Sequence, residues 1–121
     1  MPEANRQAII PPMDTSLSAR LRKQLGGPRD GALLRFSLGN ALLAEGDAAA
    51  AVTEFRAATG FDAKYSAAWK MLGNALAECA EVDAAIDAWE HGAAVASQRG
   101  DIQAAREMQV FQRRLRKQRG S

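Results

Sequence analysis

Leu38-Gly39-Asn40-Ala41-Leu42 and Leu72-Gly73-Asn74-Ala75-Leu76 are the same five residues met twice, 34 positions apart. The match spreads outward at the same offset. Ala50-Ala51-Val52 falls on Ala84-Ala85-Ile86, and Phe55 falls on Trp89. Five consecutive identities followed by a second matched block make chance an unlikely source, even in an alanine-rich chain. A fixed period of this length is the mark of a helical-repeat array, in which each unit buries its apolar face only by stacking on the next. The two units span residues 32–65 and 66–99.

Each unit reads as a pair of helices. Leu34, Leu38 and Leu42 recur every four residues, the stripe of an amphipathic helix. Gly46-Asp47 ends that helix, and the Asp47 carboxylate is suited to cap the next by accepting a backbone N–H. The second helix carries Ala51, Val52, Phe55 and Ala58 and ends around Gly60. The second unit repeats the pattern with Trp69, Leu72 and Leu76, then Ala85, Ile86 and Trp89. A further helix starts at Asp101, after Gly100, with Ile102, Ala105, Met108, Phe111 and Leu115 on its apolar side. A glycine inside a helix costs ~1 kcal/mol relative to alanine. Gly39 and Gly73, in one shared register, therefore predict close approach: Phe55 and Trp89 need the space where a Cβ would sit.

Composition agrees. The 121 residues fit one domain, and 47% apolar with 25% charged residues is the balance of a globular protein. Aromatics are only 6%, so alanine and leucine carry the packing, and alanine favours helix over strand. The first residues show no signal-peptide pattern, and no apolar window approaches the ~20 residues of a membrane span. One cysteine, Cys79, cannot form an internal disulfide, so a reducing cytoplasm is the expected compartment. The net charge of +2 is uneven. Residues 32–105 hold 10 acids and 5 bases, whereas residues 106–121 hold 6 bases and Glu107 alone.

These features resemble the tetratricopeptide repeat family, which has a 34-residue period and a Trp-x-x-Leu-Gly-x-x-Tyr run in the first helix of each pair. Its second helix carries a small residue with an aromatic four positions on. The chain has Trp69-x-x-Leu72-Gly73-x-x-Leu76 with Ala85 and Trp89, and Arg35-x-x-Leu38-Gly39-x-x-Leu42 with Ala51 and Phe55. It departs in Arg35 for tryptophan, Leu42 and Leu76 for tyrosine, and Ala63 where proline is frequent. The resemblance covers residues 32–99 and implies an all-α, α-solenoid fold of about two full repeats. Outside them, residues 1–13 read as a flexible arm. The single domain then spans 14–119: a degenerate helix in 14–27 (helical over 15–25), the two repeats, and a capping helix over 101–118.

Catalysis finds little support. His91 and Cys79 are each single, too few for a zinc site of three or four ligands. No phosphate-binding glycine loop is present. Glu78, Glu81, Asp83, Asp87 and Glu90 follow helical spacing and read as a solvated face. A non-enzymatic protein without cofactor or metal is expected.

Two surfaces remain as candidates. A second stripe, Leu33, Phe36, Asn40 and Leu43, runs along the first helix, and the 34-residue register extends it through Lys70 and Asn74 to Met108 and Phe111. The resemblance implies that this line borders a concave groove for another protein's peptide segment. Asparagine can satisfy a peptide's donors and acceptors alike. The carboxylate clamp of some family members does not fit, since Phe36 and Met71 stand at clamp positions and Asp101 would repel an anion. The other surface is the basic run Arg113, Arg114, Arg116, Lys117 and Arg119, which could hold an anion or RNA, although no aromatic after Phe111 offers a stacking platform. The expected function is a protein-interaction scaffold or adaptor. An anion or RNA binder and a chaperone-like subunit of a complex are the alternatives.

Overall fold

Side-chain caps fix where three of the helices begin. In the computed structural model, which describes residues 15–120, Ser16 Oγ accepts from Ala19 N (3.2 Å), Asp47 from Ala50 N (3.1 Å) and Asp101 from Ala104 N (3.1 Å). The expected arm over residues 1–13 lies outside the described residues. Six helices follow: α1 Leu17–Arg22, α2 Ala32–Ala44, α3 Ala48–Phe61, α4 Ser66–Glu78, α5 Val82–Gln98 and α6 Ile102–Arg119. Each packs on the next, and no strand occurs among the described residues. None of the helices is long and apolar enough to cross a membrane.

The tight connections reuse one device. Asp47 N donates to Leu42 O (2.9 Å), Glu81 N to Leu76 O (2.9 Å) and Asp101 N to Ala96 O (2.8 Å), so each preceding helix closes on a six-residue bond back to its last turn. The residue before each of these amides is left-handed. Gly46 (φ +88°) and Gly100 (φ +81°) adopt that conformation freely, whereas Ala80 holds it at φ +62°, at a cost of roughly 1 kcal/mol.

The glycines do what their register implies. A Cβ at Gly39 would lie 2.6 Å from Phe55 Cε1, and one at Gly73 would overlap the Trp89 indole. Trp89 is fixed there because its Nε1 also donates to the Lys70 carbonyl (3.2 Å). Phe55, Leu38, Leu72 and Met108 are the large, fully enclosed side chains at the centre of the core. Burial of each contributes about 1.5–3 kcal/mol. A third close approach has no precedent in the repeat: a Cβ at Gly92 would sit 2.8 Å from Trp69 Cβ and against the Met108 sulfur. Gly92 thus lets α5 lie close to α4 and α6 at once.

That contact exposes a change of phase. A strict 34-residue repeat would start α6 at Gly100, but it starts two residues later, because α5 is three residues longer than α3 and the connection after it is one residue shorter. Two residues rotate a helix by about 200°. The buried side of α6 is accordingly Ala105, Met108 and Gln112.

At the other end, the helix expected over 15–25 is shorter, and hydrogen-bonded turns carry the chain from Arg22 to Leu25. Buried Ser18 ties α1 to the end of α2: its Oγ donates to Glu45 Oε1 (2.6 Å) and its N–H to Glu45 Oε2 (3.3 Å). Arg35, which stands where the family has tryptophan, replaces stacking by ion pairing. Its guanidinium reaches both Asp30 oxygens (2.8 and 3.0 Å) and Glu54 (3.2 Å), 5.8 Å above the Phe61 ring. Asp30 also accepts from Gly26 N (2.8 Å), which joins the 26–30 turn to both helices of the first repeat.

Two predictions follow from these contacts. Gly73→Ala and Gly92→Ala should each destabilise by about 1–3 kcal/mol through overpacking. Gly60→Ala, where an added Cβ meets nothing within 4 Å, should stabilise by about 0.5–1 kcal/mol. Urea titrations giving the three variants the same sign would refute the packing described. The Arg35 guanidinium, helped by the Gly26 amide, holds the Asp30 carboxyl down to about 2 from its ordinary 3.8. A depressed carboxyl stabilises the fold above its unfolded value, and that contribution is lost as pH falls from ~4 to ~2. Melting temperature should therefore drop more steeply over that window in the parent than in Asp30→Asn. Parallel curves would show that the pair does not contribute.

Candidate functional site: a cleft between the first helix of the second repeat and the cap

The stripe expected to line a groove is divided by the structure among several settings. On α2, Leu33 is 70% exposed, while Asn40 and Leu43 are half-buried and Asn40 makes no side-chain hydrogen bond among the described residues. Phe36 leans inward, its ring 4.9 Å from Tyr65 and 6.0 Å from Phe55. Burial and the carboxylate of Asp62 push the Tyr65 hydroxyl above its ordinary pKa, so it stays a neutral phenol. On α4, Lys70 is committed across the gap to α6, with its Nζ 3.0 Å from Glu107 Oε1. Asn74 donates only a long contact to Met71 Sδ (3.5 Å), which leaves its amide facing the open side.

Met108 is corrected by the structure. Extrapolation of the 34-residue register put it in the groove, but the two-residue phase change turns it into the core, where it is fully buried against Gly92. Phe111 keeps a place, packed 5.3 Å from Trp89. It forms the floor of a cleft of about 390 Å³ between α4 and α6, together with Trp89, Ala77 and Leu115. Asn74 and Glu78 stand on the α4 rim, Arg114 and Gln118 on the α6 rim. The sequence groups Arg114 with the basic run, and its repeat register does not reach Gln118, Glu78 or Leu115. The signal lies in α6 itself: its own apolar spacing, Ala105, Met108, Phe111 and Leu115, fixes the helix rotation better than copying from the previous unit.

The basic run does not form one surface. At about 100° per residue, Arg113, Arg114, Arg116, Lys117 and Arg119 point around most of the helix. Arg114 borders the cleft, Arg119 ion-pairs with Asp83 on α5, and Arg113 lies on the side away from the bundle. Arg116 and Lys117 are exposed.

Cys79 and His91 are separated by the helix pair. Cys79 caps the end of α4 next to the turn, whereas His91 lies about three turns along α5. The imidazole stacks on Trp69 at 4.8 Å and 17°, with Nδ1 3.3 Å from Asp87 O. Among the described residues, no group of three His, Cys, Asp or Glu side chains is placed to hold a metal ion.

No family model matches the chain. It is 45% identical over 95 residues to the TPR repeat-containing protein PA0015 of Pseudomonas aeruginosa, a match covering 78% of this chain and 90% of the relative. Protein BPP2914 of Bordetella parapertussis, known from a solution structure, superposes with a TM-score of 0.72 at 42% identity, over 84% of this chain and 89% of that one. With a relative this similar over most of both sequences, and with the helix pairs and close glycine–aromatic contacts described above, the chain belongs to the tetratricopeptide repeat proteins, whose general role is protein–protein interaction and not catalysis.

Proposed function

We propose that this protein is a non-enzymatic adaptor that holds a short peptide segment of another protein along its concave side, with the α4–α6 cleft as the main seat. The cleft carries the proposal. Its floor of Trp89, Phe111, Leu115 and Ala77 suits one apolar side chain, and its rims carry the Asn74 and Gln118 amides, the Arg114 cation and the Glu78 carboxylate. Asn74 and Gln118 can each donate to and accept from a peptide backbone, and Arg114 can meet a carboxylate. From the cleft the line continues to Asn40, Leu43 and Leu33 on α2. Phe36 supports this wall from beneath. A reducing cytoplasm suits the lone, half-buried thiol of Cys79. Anion or RNA binding by the basic run is the weaker reading, because its cations diverge around α6 and Arg119 is already paired.

Peptides selected from a random displayed library against the full chain provide the test. Asn40→Ala combined with Asn74→Ala and Arg114→Gln should weaken the best selected peptide at least tenfold. A tail variant with Arg113, Arg116, Lys117 and Arg119 changed to glutamine should stay within about twofold, with weak salt dependence. If the tail were the site, the order would reverse, and RNA affinity would fall with a log–log salt slope of roughly 0.7 per phosphate contact. Unchanged affinity in the folded groove variant would defeat the proposal.

A further inference from the structure

The side of α6 facing away from the bundle is not the uniformly polar surface that closes a repeat array. Ile102 is 49% exposed there, and Val110 is half-buried among longer side chains. Gln103, Arg106, Glu107 and Val110 surround a shallow, open depression, with Ile102 at its edge. These four residues stand at positions i, i+3, i+4 and i+7. That is the four-residue hole into which one helix receives a knob side chain of another. The charge around the hole is one-sided. Arg106 forms part of its wall, Arg113 follows two turns on along the same face, and the acid of the set, Glu107, is drawn off by Lys70 (3.0 Å).

We propose that this outer face of α6 is a second docking surface, distinct from the concave cleft, and that its partner is an acidic amphipathic helix of another protein that adds to the array as its next helix. Each property of the face selects that occupant. The hole accepts a single leucine-sized knob. Arg106 and Arg113 on the same face call for glutamate or aspartate beside the knobs of the incoming helix. A bilayer surface is a poorer match, since interfacial helices present a broad band of large apolar residues and this face has two aliphatic side chains around a concavity. Nucleic acid is poorer as well, because Ile102 and Val110 beside the cations offer nothing to phosphate and no ring for a base. The face is free of the groove reading: it uses no residue of the cleft.

The probe is a fluorescent 18-residue helical peptide with leucines at heptad spacing flanked by glutamates, titrated against the full chain. A control peptide of the same composition carries the leucines scrambled around the helix. The patterned peptide should bind at least tenfold more tightly than the scrambled one. Arg106→Glu with Arg113→Glu should weaken it at least tenfold, Val110→Asp should do the same, and Asn74→Ala should leave it unchanged. All these positions are exposed or half-buried, and each variant is first matched to the parent by circular dichroism and melting. Equal binding of patterned and scrambled peptides, or full binding by the folded double reversal, would overturn the proposal. So would tighter binding to phosphatidylserine vesicles or single-stranded RNA than to the patterned peptide.

Discussion

Everything in this array hangs on how closely a ring can approach a helix backbone. Gly39 beneath Phe55 and Gly73 beneath Trp89 bring the two helices of each pair together at the same point of the repeat. The glycine gives up about 1 kcal/mol of helix propensity. In exchange, a large aromatic side chain is buried, Phe55 completely and Trp89 except where it faces the cleft, and burial of that size outweighs the loss. With the pair fixed at that distance, the leucines at 38, 42, 72 and 76 meet in one layer, and the turns at 46, 80 and 100 are constrained to similar geometry. Ala80 shows how firmly: it takes the left-handed conformation without being glycine, because the helices on either side leave it no other path.

Most of this architecture was legible in the sequence, for a physical reason. Repetition at 34 residues tests the helix pairs and the purpose of the two glycines twice, while the caps at Asp47 and Asp101 follow from residue type and a preceding glycine alone; Glu81, the counterpart of Asp47, makes no side-chain cap. The same reliance on the period misled at the end of the array. Met108 was assigned by carrying the register one unit too far, past a helix that is longer than its counterpart. Gly92 went unremarked because it has no equivalent to be compared with, and its meaning depends on three helices meeting at one place. Arg35 is intermediate: the sequence shows that tryptophan is missing, but it takes the fold to close Asp30 and Glu54 around the replacement.

The candidate site was less legible than the fold, since a groove is defined by what two helices leave open. Asn74 and Phe111 could be found from their stripe. Arg114 and Gln118 depend on the rotation of α6, and the commitment of Lys70 to Glu107 depends on two residues 37 positions apart coming together. A string of basic residues likewise reads as one patch on paper and becomes several surfaces once wound into a helix.

The substitution of an ion network for an indole gives the molecule an internal gradient. The second repeat and the cap are closed by apolar contacts among Trp69, Trp89, Gly92, Met108 and Phe111. The first repeat leans on Asp30, Arg35 and Glu54, and ahead of it stands a six-residue helix held by Ser18 and Glu45. In an array whose units touch only their neighbours, such a difference localises opening to one end. Amide exchange would then begin at α1 and α2 and advance toward the C-terminal half, so that the chain breathes from one side while the walls of its cleft stay closed.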